Sequence, residues 1–349
     1  MKRFFFITLF PLLLPWLCPA RPEVCDSDSA TIGRFERAYA EMAAMLDGRT
    51  PLSIKRAVFL AEWAYAGERL DYGRYCREID SLAGNIREFI AANHLERFST
   101  GGNIALFEFF TGSYSMNGHV PFEYDFEDYS GEGESVELFV TKLLRTHRGQ
   151  CRSLPLLYKI LADEIGAEAY IAYAPNHSFI RHRDERRSRW ENVELTNGTL
   201  SREEFIIETM CITQQAIDKG TYMKPSSDRE TLLELLVELA CFYLDAVGYI
   251  DPIVDRILCK VLDCDPDNLR ALMVCNNCLV SMLGEHKRRL MREGRPDDAL
   301  IEAIVARLRI VEAEIAATGH VDMPEESHRE WVRAFDEERA RRGIQARKE

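Results

Sequence analysis

Basic residues are in the minority in this chain of 349 residues: 44 Lys and Arg stand against 57 Asp and Glu, a formal net charge of −13. Neutralising a phosphate backbone needs a concentrated basic surface, so a protein that wraps nucleic acid is excluded. The one basic cluster, residues 181–189, is interrupted by Asp184 and Glu185 and reads as a solvated turn. Glycine and proline, at 20 and 13 residues, are too few for a collagen-like or low-complexity chain. Long apolar runs are scarce as well. Apart from residues 4–17, nothing approaches the about 20 consecutive apolar residues that span a bilayer. What is present is a 46% apolar chain, which excludes disorder and suffices for roughly two domains of about 100 to 200 residues.

The apolar run at 4–17 follows Lys2 and Arg3 and is followed by Cys18-Pro19-Ala20. A basic start, an apolar stretch of this length and small residues at its end predict a secretory signal peptide over residues 1–20, cleaved after Ala20. Pro11 and Pro15 interrupt the run and argue against a retained span. Loss of Lys2, Arg3 and Cys18 takes the net charge from −13 to −15 and the cysteine count from ten to nine. An odd number leaves at least one thiol free or bridging chains. The expected product is exported, periplasmic or secreted, with no membrane span after removal of the leader.

Residues 21–125 form an expected N-terminal helical region. Apolar residues there recur at three and four, as in Ala57, Leu60, Ala61 and Ala64 after Ser53, and helices should end near Gly48, Gly67 and His94. Residues 121–135 lose this periodicity and turn acidic. They read as a solvated loop, with Ser135 as N-cap of a helix over 136–147. Leu154, Leu157, Tyr158, Leu161 and Ile165 then make one apolar helical face, stopped at Gly166, with Cys151 at its N-terminal end. Strands are expected at 169–173, 177–182 and 190–196, separated by turn-rich segments. Beyond residue 201 the pattern is helical again, over 230–247, 252–263, 269–283, 296–317 and onward from Pro324. Tyr243, Leu258 and the string Asp265-Pro266-Asp267-Asn268 give this part a tetratricopeptide-like flavour. An ordinary helical bundle accounts for it equally well.

A thiol becomes a useful nucleophile as the thiolate, which a helix N-terminus and a neighbouring imidazolium both favour. Cys151 stands at such a helix start, and His177 opens the second strand of the same unit. Glu194 and Asn192 share a face of the third strand because side chains alternate with period two, so either could orient the histidine. The backbone N–H of Cys151 is an oxyanion donor by position at the helix start, and Gln150 is a candidate side-chain donor beside it.

With those residues in place, the string Gly149-Gln150-Cys151, then Asn176-His177-Ser178-Phe179, then Trp190 through Glu194 to Thr196 resembles the transglutaminase-like superfamily of papain-type thiol enzymes. The longer strings around them are similar to exported bacterial proteins that join such a domain to tetratricopeptide-like helices. The resemblance covers about residues 136–198. It implies an α+β fold: a transglutaminase-like (papain-type) core over 126–225 with N-terminal helices before it and an all-α, tetratricopeptide-like helical-hairpin domain over 226–349. By the same match Cys151 is the nucleophile, His177 the general base and acid, and Glu194 the orienting carboxylate, with Gln150, Asn192 and Trp190 as supporting positions. The superfamily usually carries Asp-Pro where this chain has Glu194-Leu195, which keeps Asn192 open as the third member.

The implied chemistry is acyl transfer on a protein or peptide substrate, with water or an amine as acceptor, and no cofactor or metal is called for. The competing reading is a non-catalytic binding module, in which the helical region recruits a protein partner and the core is a scaffold. Cys275-Asn276-Asn277-Cys278, with Cys259 and Cys264, invites a zinc or redox reading. Its strongly apolar helical setting favours buried small residues, or disulfides between neighbouring helices. The acids Asp125, Glu127, Asp128, Glu132 and Glu134 lack the alternation of a calcium loop and read as a solvated stretch bordering the substrate cleft.

Overall fold

The computed structural model describes residues 26–128, 135–248, 250–296 and 298–341. The expected leader with Ala20, the thiols Cys18 and Cys25, and the acids Glu132 and Glu134 lie outside them.

The N-terminal segment is helical as its period requires: α1 (Asp26–Leu46), α2 (Ile54–Ala66) and α3 (Tyr72–Ala92). Ser53 caps α2 by accepting the Arg56 N–H, and Asp71 caps α3 by accepting that of Arg74 at 2.6 Å. Both satisfy backbone donors that the first helical turn leaves without partners. A fourth helix, α4 (Gly101–Thr111), has no amphipathic stripe to announce it. It is apolar on several sides because Leu106, Phe109 and Phe110 are buried while Ile104 stays half exposed.

The expected helix at 136–147 is divided. A 3-10 turn, Ser135–Leu138, precedes α5 (Val140–Thr146). Ser135 does not cap it; its hydroxyl donates to Asp245 instead. The carboxylate of Glu62, from α2, takes the N–H groups of Val140 at 2.6 Å and Thr141 at 3.0 Å. An N-terminus buried beneath another helix needs a cap from that neighbour, and a carboxylate also answers the positive end of the helix.

Short strands β1 (Glu123–Tyr124) and β2 (Arg148–Gly149) pair in parallel just before α6 (Ser153–Ile165). An antiparallel meander follows: β3 (Tyr170–Ala174), β4 (His177–Arg183), β5 (Trp190–Glu194) and β6 (Thr199–Ser201), in that order across the sheet. Its inner face, with Ile171, Ile180 and Val193, joins the main core beside α6. Its outer face carries a smaller cluster, Ala172, Ala174 and Phe179 under residues of α7 (Glu203–Thr209) and α8 (Gln214–Lys219).

The remaining helices are α9 (Asp228–Val247), α10 (Pro252–Cys264), α11 (Leu269–Arg292), α12 (Ala299–Ala317) and α13 (Glu325–Arg341). Helix α11 outruns the expected 269–283 because Met282, His286 and Leu290 continue the buried stripe at four-residue steps through a charged stretch. Helix α9 packs on α1 and α2, and one hydrophobic cluster runs from Phe35 to Val311 across the expected boundaries at 125 and 225. The architecture is a mixture of helices and a small segregated sheet, the α+β class. No helix among the described residues is long and apolar enough to cross a membrane.

Candidate active site

Three consecutive residues form the turn between β2 and α6, and each is tied to a different part of the chain. Gln150 is buried; its N–H donates to Ser153 Oγ at 3.0 Å and its side-chain amide to the Asp125 carbonyl at 3.2 Å. Cys151 follows, two residues before the first residue of α6, with its carbonyl accepting from the Ser178 hydroxyl of β4. Arg152 turns its side chain inward to carboxylates on α2 and α9. Gly149 makes this turn possible. A Cβ there would lie 2.6 Å from Ser153 Oγ and 2.9 Å from Leu143 Cδ1, closer than side-chain packing permits.

The histidine arrives from the β3–β4 hairpin. Asn176 adopts the left-handed conformation, φ +53°, which asparagine tolerates, and the turn sets its carbonyl 3.9 Å from Cys151 Sγ. His177 starts β4 and stacks on Phe179 of the same face, with ring centroids 6.3 Å apart. Its Nε2 donates to Glu194 Oε2 at 2.6 Å. Cys151 Sγ donates to the Asn176 carbonyl, and the thiol is also an electrostatic neighbour of the His177 ring; with Nε2 engaged by the carboxylate, Nδ1 is the nitrogen left to face it.

Both oxygens of Glu194 are engaged. Oε2 holds His177, while Oε1 accepts the Thr196 hydroxyl at 2.7 Å and the Thr196 N–H at 3.2 Å. A glutamate in place of an aspartate therefore still presents a fixed carboxylate, because Thr196 determines where the longer side chain ends. Burial alone would lower the basicity of His177. The Glu194 charge, the neighbouring Cys151 thiol and the bond to Glu194 outweigh it and raise the ring to about 10. Burial works against the Glu194 carboxylate too, yet the His177 charge and the Thr196 donors bring it below its ordinary value.

The other sequence candidates separate from this centre. Asn192 lies on the face of Glu194, but its amide donates to the Ser201 carbonyl at 3.1 Å, across to β6, and its Oδ1 has no partner among the described residues. Trp190 sits at the far end of β5, four residues or about 13 Å from Glu194. Its ring faces Tyr170 and lies under the guanidinium of Arg183 at 3.8 Å. Gln150 spends an amide hydrogen on the Asp125 carbonyl, so it holds the loop from beneath. The Cys151 backbone N–H, by contrast, donates to nothing among the described residues.

Two charged segments differ from their sequence reading. Arg181 and His182 lie in the strand expected at 177–182, but where the basic stretch 181–189 reads as solvated they are buried, 3% and 7% exposed. Arg181 bonds the Met223 carbonyl and pairs with Glu203. Alternating contact with both faces of a covered sheet buries charges that composition alone assigns to solvent. Asp125 is likewise buried, paired with Lys142, with its N–H on the Gly149 carbonyl. It belongs to the floor of the cysteine turn.

The eight described cysteines are all free thiols, so no disulfide joins the neighbouring helices. Cys275 and Cys278 are buried in α11, and burial raises each thiol to about 12. Among the described residues no group of three or more His, Cys, Asp or Glu side chains is arranged to hold a metal.

Sequence reasoning missed Arg152, Thr196 as the second anchor of Glu194, and Ser178. Only the adjacency of Ser178 to His177 and of Arg152 to Cys151 was available as a signal. Comparison with known proteins finds no matching family model, no matching curated protein and no matching solved structure.

Proposed function

We propose that the protein is an exported thiol-dependent acyl-transfer enzyme of transglutaminase-like, papain-type architecture, acting on a protein or peptide through Cys151, His177 and Glu194. The observation that carries this reading is the buried His177–Glu194 pair beside the Cys151 thiol. One imidazole is held at Nε2 by a buried carboxylate 2.6 Å away, and its other nitrogen is left to a partly exposed thiol. The export part rests on Lys2, Arg3 and the apolar run at 4–17.

In the reaction the Cys151 sulfur attacks a carboxamide or peptide carbonyl, forming a carbon–sulfur bond. His177, holding the proton that leaves the thiol, gives it to the departing amine as the carbon–nitrogen bond breaks. A water molecule, or a second amine, then attacks the thioester with its proton passing to His177, and the thiol is released as that proton returns. The developing oxyanion lies next to the unengaged N–H of Cys151. Glu194 keeps one tautomer and one orientation of the ring throughout and stabilises its charged form.

The test is a peptidyl acyloxymethyl ketone library applied to the full-length protein, with adducts located by mass spectrometry. The reading requires labelling at Cys151 that depends on the peptide sequence and slows by roughly a hundredfold or more in His177→Ala. Labelling of Cys151 at the same rate in both proteins would overturn it.

A further inference from the structure

The turn that carries the thiol is short, irregular and without a side-chain cap of its own, since the residue before α6 is Arg152. Its rigidity must come from elsewhere in the molecule. Arg152 is one peptide bond from Cys151, and its guanidinium is 13% exposed. Nε donates to Glu238 Oε1 at 2.6 Å, Nη2 to Glu238 Oε2, and Nη1 to Glu62 Oε1 at 3.1 Å and to the Leu138 carbonyl at 2.7 Å. The guanidinium also lies 5.5 Å from the ring centre of Phe242.

Glu62 takes four donors: Arg152 Nη1 and Val140 N–H on Oε1, Thr141 N–H and hydroxyl on Oε2. Four donors leave no oxygen for a proton, so it is held as the carboxylate against the burial that pushes it up. Glu238 lies 3.8 Å from Arg270 at the start of α11. Two carboxylates and two guanidinium groups thus alternate from the cysteine turn into the C-terminal helices.

Ion pairs this deeply buried contribute little net stability compared with apolar side chains of the same size, because the cost of desolvation cancels most of the attraction. What a two-pronged guanidinium–carboxylate contact supplies is direction: both planes and both distances are fixed together. Here the guanidinium so fixed belongs to the residue next to Cys151 in the chain.

We propose that Arg152 is a positioning residue, which with Glu238 and Glu62 sets the direction of the Cys151 thiol toward His177, so that the geometry of the site depends on helix α9. The proposal rests on the acyl-transfer reading above, and it assigns the C-terminal helices a direct part in building the site.

The experiment measures iodoacetamide alkylation of Cys151 in the full-length protein between pH 6 and 9, resolved by peptide mass spectrometry, with Cys76 and Cys211 as internal references. Arg152→Lys keeps the charge and loses the fork; Glu238→Gln keeps the shape and loses one charge. Each should fold and slow Cys151 by about tenfold, because a thiol turned away from the imidazole loses reactivity, with the reference thiols unchanged. The combined Arg152→Met, Glu62→Gln protein removes one ion of each sign and leaves Glu238 with Arg270, so no charge is stranded and it should melt no lower than wild type. Its Cys151 should nevertheless be slowed. Wild-type Cys151 rates in whichever of these proteins fold would overturn the proposal, as would failure of all three to fold, which would make the network structural. His177→Ala separates the two levels. If it leaves Cys151 unaffected, the dyad fails whatever Arg152 does; if it slows Cys151 while the Arg152 variants do not, only the positioning role fails.

Discussion

Replacing Glu194 with Gln should reverse how stability responds to pH. In the folded protein His177 is raised from 6.5 to about 10, a roughly thousandfold or greater gain in proton affinity, worth at most about 5 kcal/mol. Because the folded value lies above the unfolded one, this stabilisation is complete below pH 6.5 and fades as pH rises toward 10, by at most about 1.4 kcal/mol per pH unit. Glu194 is displaced the other way, so its share is present above its ordinary value of 4.5 and disappears as the solution becomes more acidic. The pair therefore stabilises most between about pH 4.5 and 6.5. In Glu194→Gln only burial acts strongly on the ring, which favours the neutral form, and the His177 contribution to stability should rise with pH. Urea unfolding of Cys151→Ala and Cys151→Ala/Glu194→Gln at pH 5.5, 7 and 8.5 isolates the effect from the thiol. The gap between the two proteins should be largest at pH 5.5 and shrink by about 3 kcal/mol by pH 8.5. NMR titration of the His177 ring gives an independent reading, with the ring still protonated at pH 8 when Glu194 is present. A gap that does not change with pH, or a ring that titrates near 6.5 in both proteins, would refute the ion pair.

Gly149→Ala places a methyl group 2.6 Å from Ser153 Oγ and should cost about 1 to 3 kcal/mol in urea unfolding; wild-type stability would mean the turn yields freely. Thr196→Val removes the 2.7 Å donor to Glu194 and should raise that carboxyl and cost about 1 kcal/mol, checked by its pH-dependent stability; an unchanged acid limb would count against Thr196 as an anchor. Glu62→Ala removes one of the two carboxylates on the buried Arg152 and uncaps α5, so a loss of about 3 to 5 kcal/mol is expected by the same unfolding assay, and a loss under 1 kcal/mol would contradict the buried network. Cys275 and Cys278, raised to about 12, should react with iodoacetamide only as fast as the protein unfolds. Labelling at the rate of Cys211 would show that α11 is open to solvent.

Local patterns carried much of this molecule. The three-and-four spacing at Ala57, Leu60, Ala61 and Ala64 and the cap at Ser53 are properties of one helix and its first turn, and they appear in α2 as expected. The period-two pattern and the turn at Pro175-Asn176 likewise describe the β3–β4 hairpin. Helix α4 was invisible because a helix buried on several sides loses the stripe that periodicity detects. The solvated readings of Arg181 and Asp125 failed for a related reason. Composition records a charge, while burial depends on the distant partners Glu203 and Lys142.

The candidate site divides along the same line. By itself, the sequence determined which residue types are available in order, Cys151 before a helix, His177 opening a strand and Glu194 on the next, because chain order and strand alternation are local geometry. The tertiary structure alone decided that Glu194 and not Asn192 reaches His177, since Thr196 holds one carboxylate while Ser201 draws the other side chain across to β6. It alone brought Glu62 and Glu238 to Arg152, from 90 and 86 residues away. Compensation of a buried charge has no sequence period: it needs only that opposite charge meet in space, and the packing of α2 and α9 around the cysteine turn determines that meeting.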